Sequence, residues 1–182
     1  MFTKLIERLE SRRLMSATIS TSADGSILIT NAANVSVTEF DVGNTMRVGI
    51  TDNTLPDGSN SAVLFGNFSS VMIVGTTGND QIMLNTFDLN AVIDGGNGDD
   101  FIQAFIGSTQ TQAGTAQVAI SAGNGGDFIS VDGSIPSPST VQEQGTFFVD
   151  GGNGQDTIQI IDPIQVVVLP SRGGDVVVGT PA

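Results

Sequence analysis

The chain has 182 residues with 19 acidic and six basic side chains, so its formal net charge at pH 7 is -13. It contains no His and no Cys, which excludes Ser-His-Asp and Cys-His catalytic groups, His-ligated zinc and disulfides. Trp and Tyr are absent as well, so any function depends on carboxylates, hydroxyls, amides and backbone groups. A surface this acidic repels nucleic acid and anionic lipid headgroups and attracts cations.

Residues 1–17, MFTKLIERLESRRLMSA, predict a short N-terminal amphipathic helix with a targeting-like character. The segment lacks the apolar run of about 7 to 15 residues that a secretory signal needs, and it is too polar to span a bilayer. Its second half, LESRRLMSA, resembles the LEPR-type N-terminal sequence of exported bacterial proteins, with Ser11 where that pattern has Pro. The resemblance implies export to the cell surface or the extracellular space. The alternative is a frayed terminus with no targeting role, and neither alternative predicts a transmembrane segment.

Residues 18–70 predict β-strands that form a cap at the N-terminal end of the rest of the chain. Four runs, at 26–30, 35–40, 46–50 and 61–65, are rich in the β-branched, aromatic and other apolar residues typical of strands. They are separated by the turn sequences NAAN, VGNT and LPDGSN.

Residues 71–182 contain an internal repeat. The loop GGNGDDFIQ at 95–103 recurs as GGNGQDTIQ at 151–159, with partial copies GTTGNDQIM at 75–83 and AGNGGDFIS at 122–130. A worn fifth copy is PSRGGDVVV at 170–178. Apolar residues stand two and four places before each loop, and this period of two is the pattern of a strand with one buried face. Each unit therefore predicts a strand, a glycine-rich turn and a second strand.

These loops match the nonapeptide G-G-x-G-x-D-x-U-x, and the chain resembles the hemolysin-type (repeats-in-toxin) calcium-binding repeat proteins over residues 71–182. The resemblance implies an all-β fold, a right-handed parallel β-roll or β-solenoid whose six-residue turns stack along an edge and hold calcium between them. With the preceding segments, the expected architecture is this β-roll with an N-terminal β cap and a short N-terminal helix. The repeat aspartates are 20, 27, 29 and 19 residues apart, which predicts one motif per coil and a single calcium-competent edge.

Calcium takes six to eight oxygen ligands from carboxylates and backbone carbonyls, and glycines let a turn direct its carbonyls toward an ion. The expected ligands are therefore the sixth-position aspartates and residues early in each turn, with Asp99 as an auxiliary carboxylate. The predicted calcium ligands are Asp80, Asp100, Asp127, Asp156, Asp99, Gly75, Thr77, Gly95, Asn97, Gly123, Asn124, Gly151 and Asn153.

The repeats predict an exported bacterial calcium-binding module with a structural or adhesive role, whose folding calcium promotes. The alternative is a metal-independent β-solenoid that binds a partner or acts as an adhesin, in which glycine and Asn/Asp only form tight turns. We expect no enzymatic activity: Asp99 and Asp100 could serve a glycosidase, but adjacent strand residues point to opposite faces. The expected partners are calcium ions and an envelope or matrix component that the sequence does not identify, with no nucleic acid.

Overall fold

The computed structural model describes residues 17–41, 46–53, 61–107, 115–133, 145–161 and 165–179. In this part of the chain every regular element is a β-strand. The strands are β1 (Thr18–Thr21), β2 (Ser26–Thr30), β3 (Asn34–Asp41), β4 (Met46–Asp52), β5 (Ser61–Phe65), β6 (Ser70–Val74), β7 (Gln81–Thr86), β8 (Asn90–Asn97), β9 (Phe101–Ile106), β10 (Gln117–Asn124), β11 (Phe128–Asp132), β12 (Thr146–Asp150), β13 (Thr157–Ile161), β14 (Gln165–Val168) and β15 (Val176–Gly179).

The strands form two sheets. The first has seven strands in the order β1-β2-β6-β8-β10-β12-β14, and the second has eight in the order β15-β13-β11-β9-β7-β3-β4-β5. From β6 onward the chain alternates between the sheets, so each glycine-rich turn leads from the first sheet to the second. Because the strands of this part are parallel within each sheet, all of these turns lie along the same edge.

Both sheets are mixed, so the predicted fold, a right-handed parallel β-roll or β-solenoid with an N-terminal β cap, is wrong. The first sheet begins with the antiparallel pair β1 and β2, and the second ends with the antiparallel strands β3, β4 and β5. Strand β2 also pairs with β6, and β3 with β7, so the strands of 18–70 belong to the same sheets as the repeats. The repeated motif predicts parallel pairing only for residues 71–182, which contain it. A connection as short as 42–45 permits only antiparallel neighbours, because a parallel crossover needs about a dozen residues or more.

The strand predictions for 18–70 are confirmed, since the four runs correspond to β2, β3, β4 and β5. The predicted N-terminal helix lies outside the described residues, as does the targeting-like segment 1–17 apart from Ala17. The predicted division of the chain at residue 70 stays a prediction. In the described residues no helix is long and apolar enough to cross a membrane.

The core lies between the sheets and follows the period of two in the sequence. The apolar eighth positions of the first four repeats are in register across β7, β9, β11 and β13. The side chains there are fully buried: Ile82, Ile102, Ile129 and Ile158. The register is constant although the repeat spacing varies, so the length differences are taken up at the edge opposite the glycine-rich turns.

Candidate metal centre

The four glycine-rich turns at 75–80, 95–100, 122–127 and 151–156 are stacked on one another. Gly96 and Asn97 pair in parallel register with Gly123 and Asn124, and Asn124 continues the ladder to Asn153. Hydrogen bonds from backbone N–H groups to carbonyls of the adjoining turns extend the sheet pairing into the loops. The repeat thus places the same position of each turn above the same position of the next.

Glycine is required at the second position of the last three of these turns because the backbones approach so closely. Gly123 has a φ of 108°, and a methyl group there would lie 2.0 Å from the carbonyl oxygen of Gly96. Gly152 has a φ of 88°, and a methyl group there would lie 2.1 Å from the carbonyl oxygen of Gly123. Any side chain would meet both a strained backbone conformation and a steric clash, so glycine sets the close stacking of the turns.

The sixth-position aspartates form a hydrogen-bonded ladder between turns. The backbone N–H of Asp80 donates to Asp100 Oδ1 at 2.8 Å, and the N–H of Asp100 donates to Asp127 Oδ1 at 2.7 Å. The N–H of Asp127 donates to Asp156 Oδ1 at 2.9 Å. One oxygen of each of these three carboxylates therefore holds the preceding turn in place.

The second oxygen of the same three carboxylates is buried and unsatisfied. Oδ2 of Asp100, Asp127 and Asp156 has no hydrogen-bond partner among the described residues, and each residue is at most 2% exposed. Buried polar atoms are nearly always paired, and an anionic oxygen without a partner is especially costly. Three such atoms in one row are the features of this turn edge most in need of a ligand.

Asp80 differs from the other three aspartates because its own turn satisfies its carboxylate. The hydroxyl of Thr76 donates to Oδ1 at 2.7 Å, and the backbone N–H of Thr76 donates to Oδ2. Residue 76 is the second position of the turn, where the next three copies have glycine and no hydroxyl. Asp80 therefore has less need of an external ligand than the aspartates that follow it.

Oxygens of neighbouring turns converge beside the first-position glycines. A methyl group at Gly95 would lie 2.6 Å from Asp100 Oδ2 and 2.4 Å from the carbonyl oxygen of Ala122. A methyl group at Gly151 would lie 2.6 Å from Asp156 Oδ2 and 2.8 Å from Asp175 Oδ2. At each place an unsatisfied carboxylate oxygen and an oxygen of the following turn border the same small space, which only a glycine leaves open.

Burial raises the pKa of these carboxyl groups. For Asp100 the pKa rises to about 6, first because of desolvation and then because Asp80, Asp127 and Asp99 add negative charge, while the hydrogen bond from the Asp80 N–H acts in the opposite direction. The pKa values of Asp127 and Asp156 are also raised, again first by burial. Ionised carboxylates are therefore costly at this edge when no cation is bound.

The predicted ligands at the third position and Asp99 lie on the exposed side of the turns. The side-chain amide of Asn124 donates to Asn97 Oδ1 at 2.8 Å, and that of Asn153 donates to Asn124 Oδ1 at 2.8 Å. Asp99 is exposed and its Oδ1 accepts a hydrogen bond from the N–H of Gly126 at 2.9 Å. Thr77 is exposed as well. The asparagines and Asp99 link neighbouring turns at the surface of the stack and are separate from the buried row of Oδ2 atoms.

Within the described ranges, no group of three or more acidic side chains is close enough to hold a metal ion by itself. An ion at this edge would therefore take most of its ligands from backbone carbonyls, with one or two carboxylates. The predicted glycines Gly75, Gly95, Gly123 and Gly151 all lie in the stacked turns, where backbone oxygens are the available donors.

Another buried carboxylate, which the sequence motifs do not predict, lies on β3. Glu39 is 2% exposed, and its Oε2 accepts hydrogen bonds from the Thr86 hydroxyl at 2.7 Å and from the backbone N–H of Phe87 at 2.9 Å. The N–H groups of Asp88 and Leu89 donate to the same oxygen at 3.1 and 3.0 Å. In the sequence, the alternation of VSVTEF places Glu39 on the same face as Val35 and Val37, which indicates that this acidic side chain is buried.

In comparisons with protein-family models, with curated proteins and with solved structures, none matched this chain. The resemblance to hemolysin-type repeats therefore rests on the residues of the turns themselves.

Proposed function

We propose that this chain binds calcium along its stacked turns and that calcium stabilises the folded state. The observation that carries the proposal is the row of buried, unsatisfied Oδ2 atoms of Asp100, Asp127 and Asp156. Calcium is a hard cation that accepts carboxylate and carbonyl oxygens in flexible geometry, and those are the donors at this edge.

The residues present fit such an ion. Asp100 Oδ2 shares its space with the carbonyl oxygen of Ala122, and Asp156 Oδ2 shares its space with Asp175 Oδ2. Bound calcium would neutralise the negative charge of these carboxylate oxygens. The Oδ1 atoms would keep their bonds to the preceding turn, so binding requires no loss of the ladder. Asp80 contributes less, because Thr76 already satisfies its carboxylate.

The expected gain in stability is large enough to matter. For a dissociation constant of about 0.5 mM, typical of extracellular modules, calcium at about 5 mM stabilises the folded state by roughly 1.4 kcal/mol per site. Two such sites would add about 3 kcal/mol, which is a large part of the stability of a small domain. The chain would therefore be far more stable where calcium is abundant.

We further propose that the module is exported by a bacterium and has a structural or adhesive role at the cell surface or outside it. Support comes from the LEPR-like N-terminal stretch and from a calcium requirement that suits an extracellular setting. A catalytic role has little support, because the two adjacent carboxylates do not share a site. Asp100 is buried in the ladder of sixth-position aspartates, whereas Asp99 is exposed and accepts a hydrogen bond from the N–H of Gly126.

The decisive experiment is a calcium titration followed by circular dichroism and calorimetry. The test variant replaces Asp80, Asp100, Asp127 and Asp156 with Asn, which keeps an acceptor oxygen at each position of the ladder and removes the charge. The control is Asp99→Asn, a change of the same kind at an exposed position of the same turn. We expect calcium to raise the melting temperature of the wild type and the control but not that of the fourfold variant. Equal responses of all three proteins would refute the proposal, and no response of the wild type would favour the metal-independent partner-binding module.

A further inference from the structure

The outer face of the first sheet carries a continuous apolar row. One side chain from each of six neighbouring strands stands in register with the next. Five of the six are between 36% and 46% exposed, and the alanine is half-buried. The apolar row consists of Leu28, Met72, Val92, Ala119, Phe148 and Val167.

Polar side chains flank this row on both sides. On the side away from the glycine-rich turns, a row of hydroxyl and amide groups runs across the same strands. On the side of the turns, the described strands contribute two carboxylates, Asp94 and Asp150, which alternate with Val74 and Ser121. In a chain with 19 acidic residues, a face with an uncharged centre and a polar rim has the composition of an interaction surface.

The apolar row contains a projection and a depression side by side. A shallow depression of about 230 Å³ lies over β8 and β10, where Val92 and the small side chain of Ala119 line it, and Phe148 borders it on the side of β12. Phe148 stands one strand further along the row and is 38% exposed. A surface with a large and a small side chain at adjacent positions is complementary to a copy of itself turned by a two-fold rotation.

We propose that this face binds a second copy of the chain, about a two-fold axis that runs parallel to the strands between β10 and β12. This axis places Phe148 of each copy opposite Ala119 of the other. It also places Val92 opposite Val167 of the second copy. A rotation about an axis in this direction keeps the three rows aligned, so the apolar rows of both copies meet over β8, β10, β12 and β14, and Leu28 and Met72 lie outside the overlap.

The same axis avoids contacts between like charges. Asp150 lies opposite Ser121 of the second copy, and Gln117 lies opposite Thr146. Asp94 falls opposite Leu169 of the second copy. Within these rows of described residues no carboxylate meets another, which matters because like charges across an interface are costly.

The expected interface is small. The four overlapping strands, at about 4.8 Å spacing, cover roughly 500 Å² on each copy, or about 1,000 Å² in total, which is the size of weak and transient interfaces. Each copy also carries a net charge of -13, so the dimer forms more tightly as salt or calcium screens the repulsion. We therefore expect a micromolar or weaker dimer.

The test is sedimentation equilibrium of the full chain over a wide concentration range, in calcium at about ten times a dissociation constant typical of extracellular modules. Circular dichroism first shows that each protein is folded, so a failure to dimerise is separate from a failure to fold. We expect Phe148→Asp to weaken the dimer at least roughly tenfold. The control is Phe65→Asp, the same change at an exposed Phe of the second sheet, which should leave dimerisation unchanged.

The absence of native cysteine allows a second test of the geometry. Mixing the single variants Ala119→Cys and Phe148→Cys under mild oxidation should give mainly the mixed disulfide, because the proposed axis brings these two positions together. A chain that stays monomeric at every concentration, a dimer insensitive to Phe148→Asp, or a preference for 119–119 cross-links would overturn the proposal.

Discussion

The backbone N–H of Asp100 donates a hydrogen bond of 2.7 Å to Oδ1 of Asp127, which lies 27 residues later in the chain. The same relationship links Asp80 to Asp100 and Asp127 to Asp156. In each of the three acceptors, Oδ1 supports the stacking of the turns while Oδ2 is buried without a partner among the described residues. Stacking and ion binding thus use different atoms of one carboxylate, and variants can separate the two roles.

Asp100→Asn and Asp100→Ala should have opposite effects on the calcium-free protein at pH 7. The Asn variant keeps an oxygen to accept from the Asp80 N–H and removes a buried charge, so we expect the free energy of unfolding to rise by about 1 kcal/mol. The Ala variant leaves that N–H unsatisfied and should lose about 1 to 3 kcal/mol. Urea unfolding in a chelator measures both changes. In calcium, both variants should show a weaker response than the wild type, and an unchanged response in Asp100→Asn would exclude this carboxylate as a ligand.

The calcium-free protein should lose stability as the pH rises from about 4 to about 6. The folded-state pKa of Asp100 is raised to about 6 from an unfolded-state pKa of about 4. Its contribution to stability is therefore complete at a pH below about 4 and is lost as the pH rises past about 6. Asp127 and Asp156 shift in the same direction.

With saturating calcium the trend should reverse, because the ion competes with protons for the same oxygens. Asp24 affects the pH dependence of stability only below this window, because hydrogen bonds from Ser22 and Ser26 lower its pKa to about 2. Unfolding series from pH 4 to about 7, with chelator and with calcium, provide the measurement. A calcium-free protein whose stability stays flat or increases across the window would contradict the prediction.

Gly123→Ala should be strongly destabilising, whereas Gly126→Ala in the same turn should have little effect. Gly123 combines a positive φ with a carbonyl oxygen 2.0 Å from the position of the added methyl, and we expect a loss of at least about 2 kcal/mol. At Gly126 the nearest atom would be 3.5 Å away, and the expected change is within about 0.5 kcal/mol. Thermal melts in calcium compare the two variants, and similar melting temperatures would show that the turns do not stack this closely.

Glu39→Ala should destabilise the chain by at least about 3 kcal/mol, because Oε2 accepts a hydroxyl and three backbone N–H groups that would lose their partner. Glu39→Gln keeps an acceptor oxygen and should lose less. Both changes should be the same with calcium and with chelator, since the described hydrogen bonds of Glu39 go to residues 86–89, at the opposite edge of the sheets from the glycine-rich turns. A calcium-dependent loss of stability would mean that the two edges of the sheets are coupled.

Much of the local structure follows from the sequence. The period-two apolar pattern correctly marks the strands and their buried faces, because alternation along a strand fixes which side chains share a face. Recurrence of the glycine-rich loop brings Asp100, Asp127 and Asp156 into one row, since identical turns between parallel strands lie at one edge. Glu39 and the antiparallel strands of 18–70 belong to no repeat, so neither the role of Glu39 nor the pairing of these strands could be predicted from the sequence.

The sequence by itself determined that the chain is built of strands and that an acidic turn recurs. Only the tertiary structure decided that both sheets are mixed and that one oxygen of each acceptor Asp pairs while the other does not. It also decided that an apolar row crosses the outer face of the first sheet. The physical reason is that these features depend on which strands pair and in which register, at separations from 5 residues between Asp41 and Met46 to 44 between Leu28 and Met72. Local residue preferences describe how each segment folds, but they do not specify which atoms of distant segments meet.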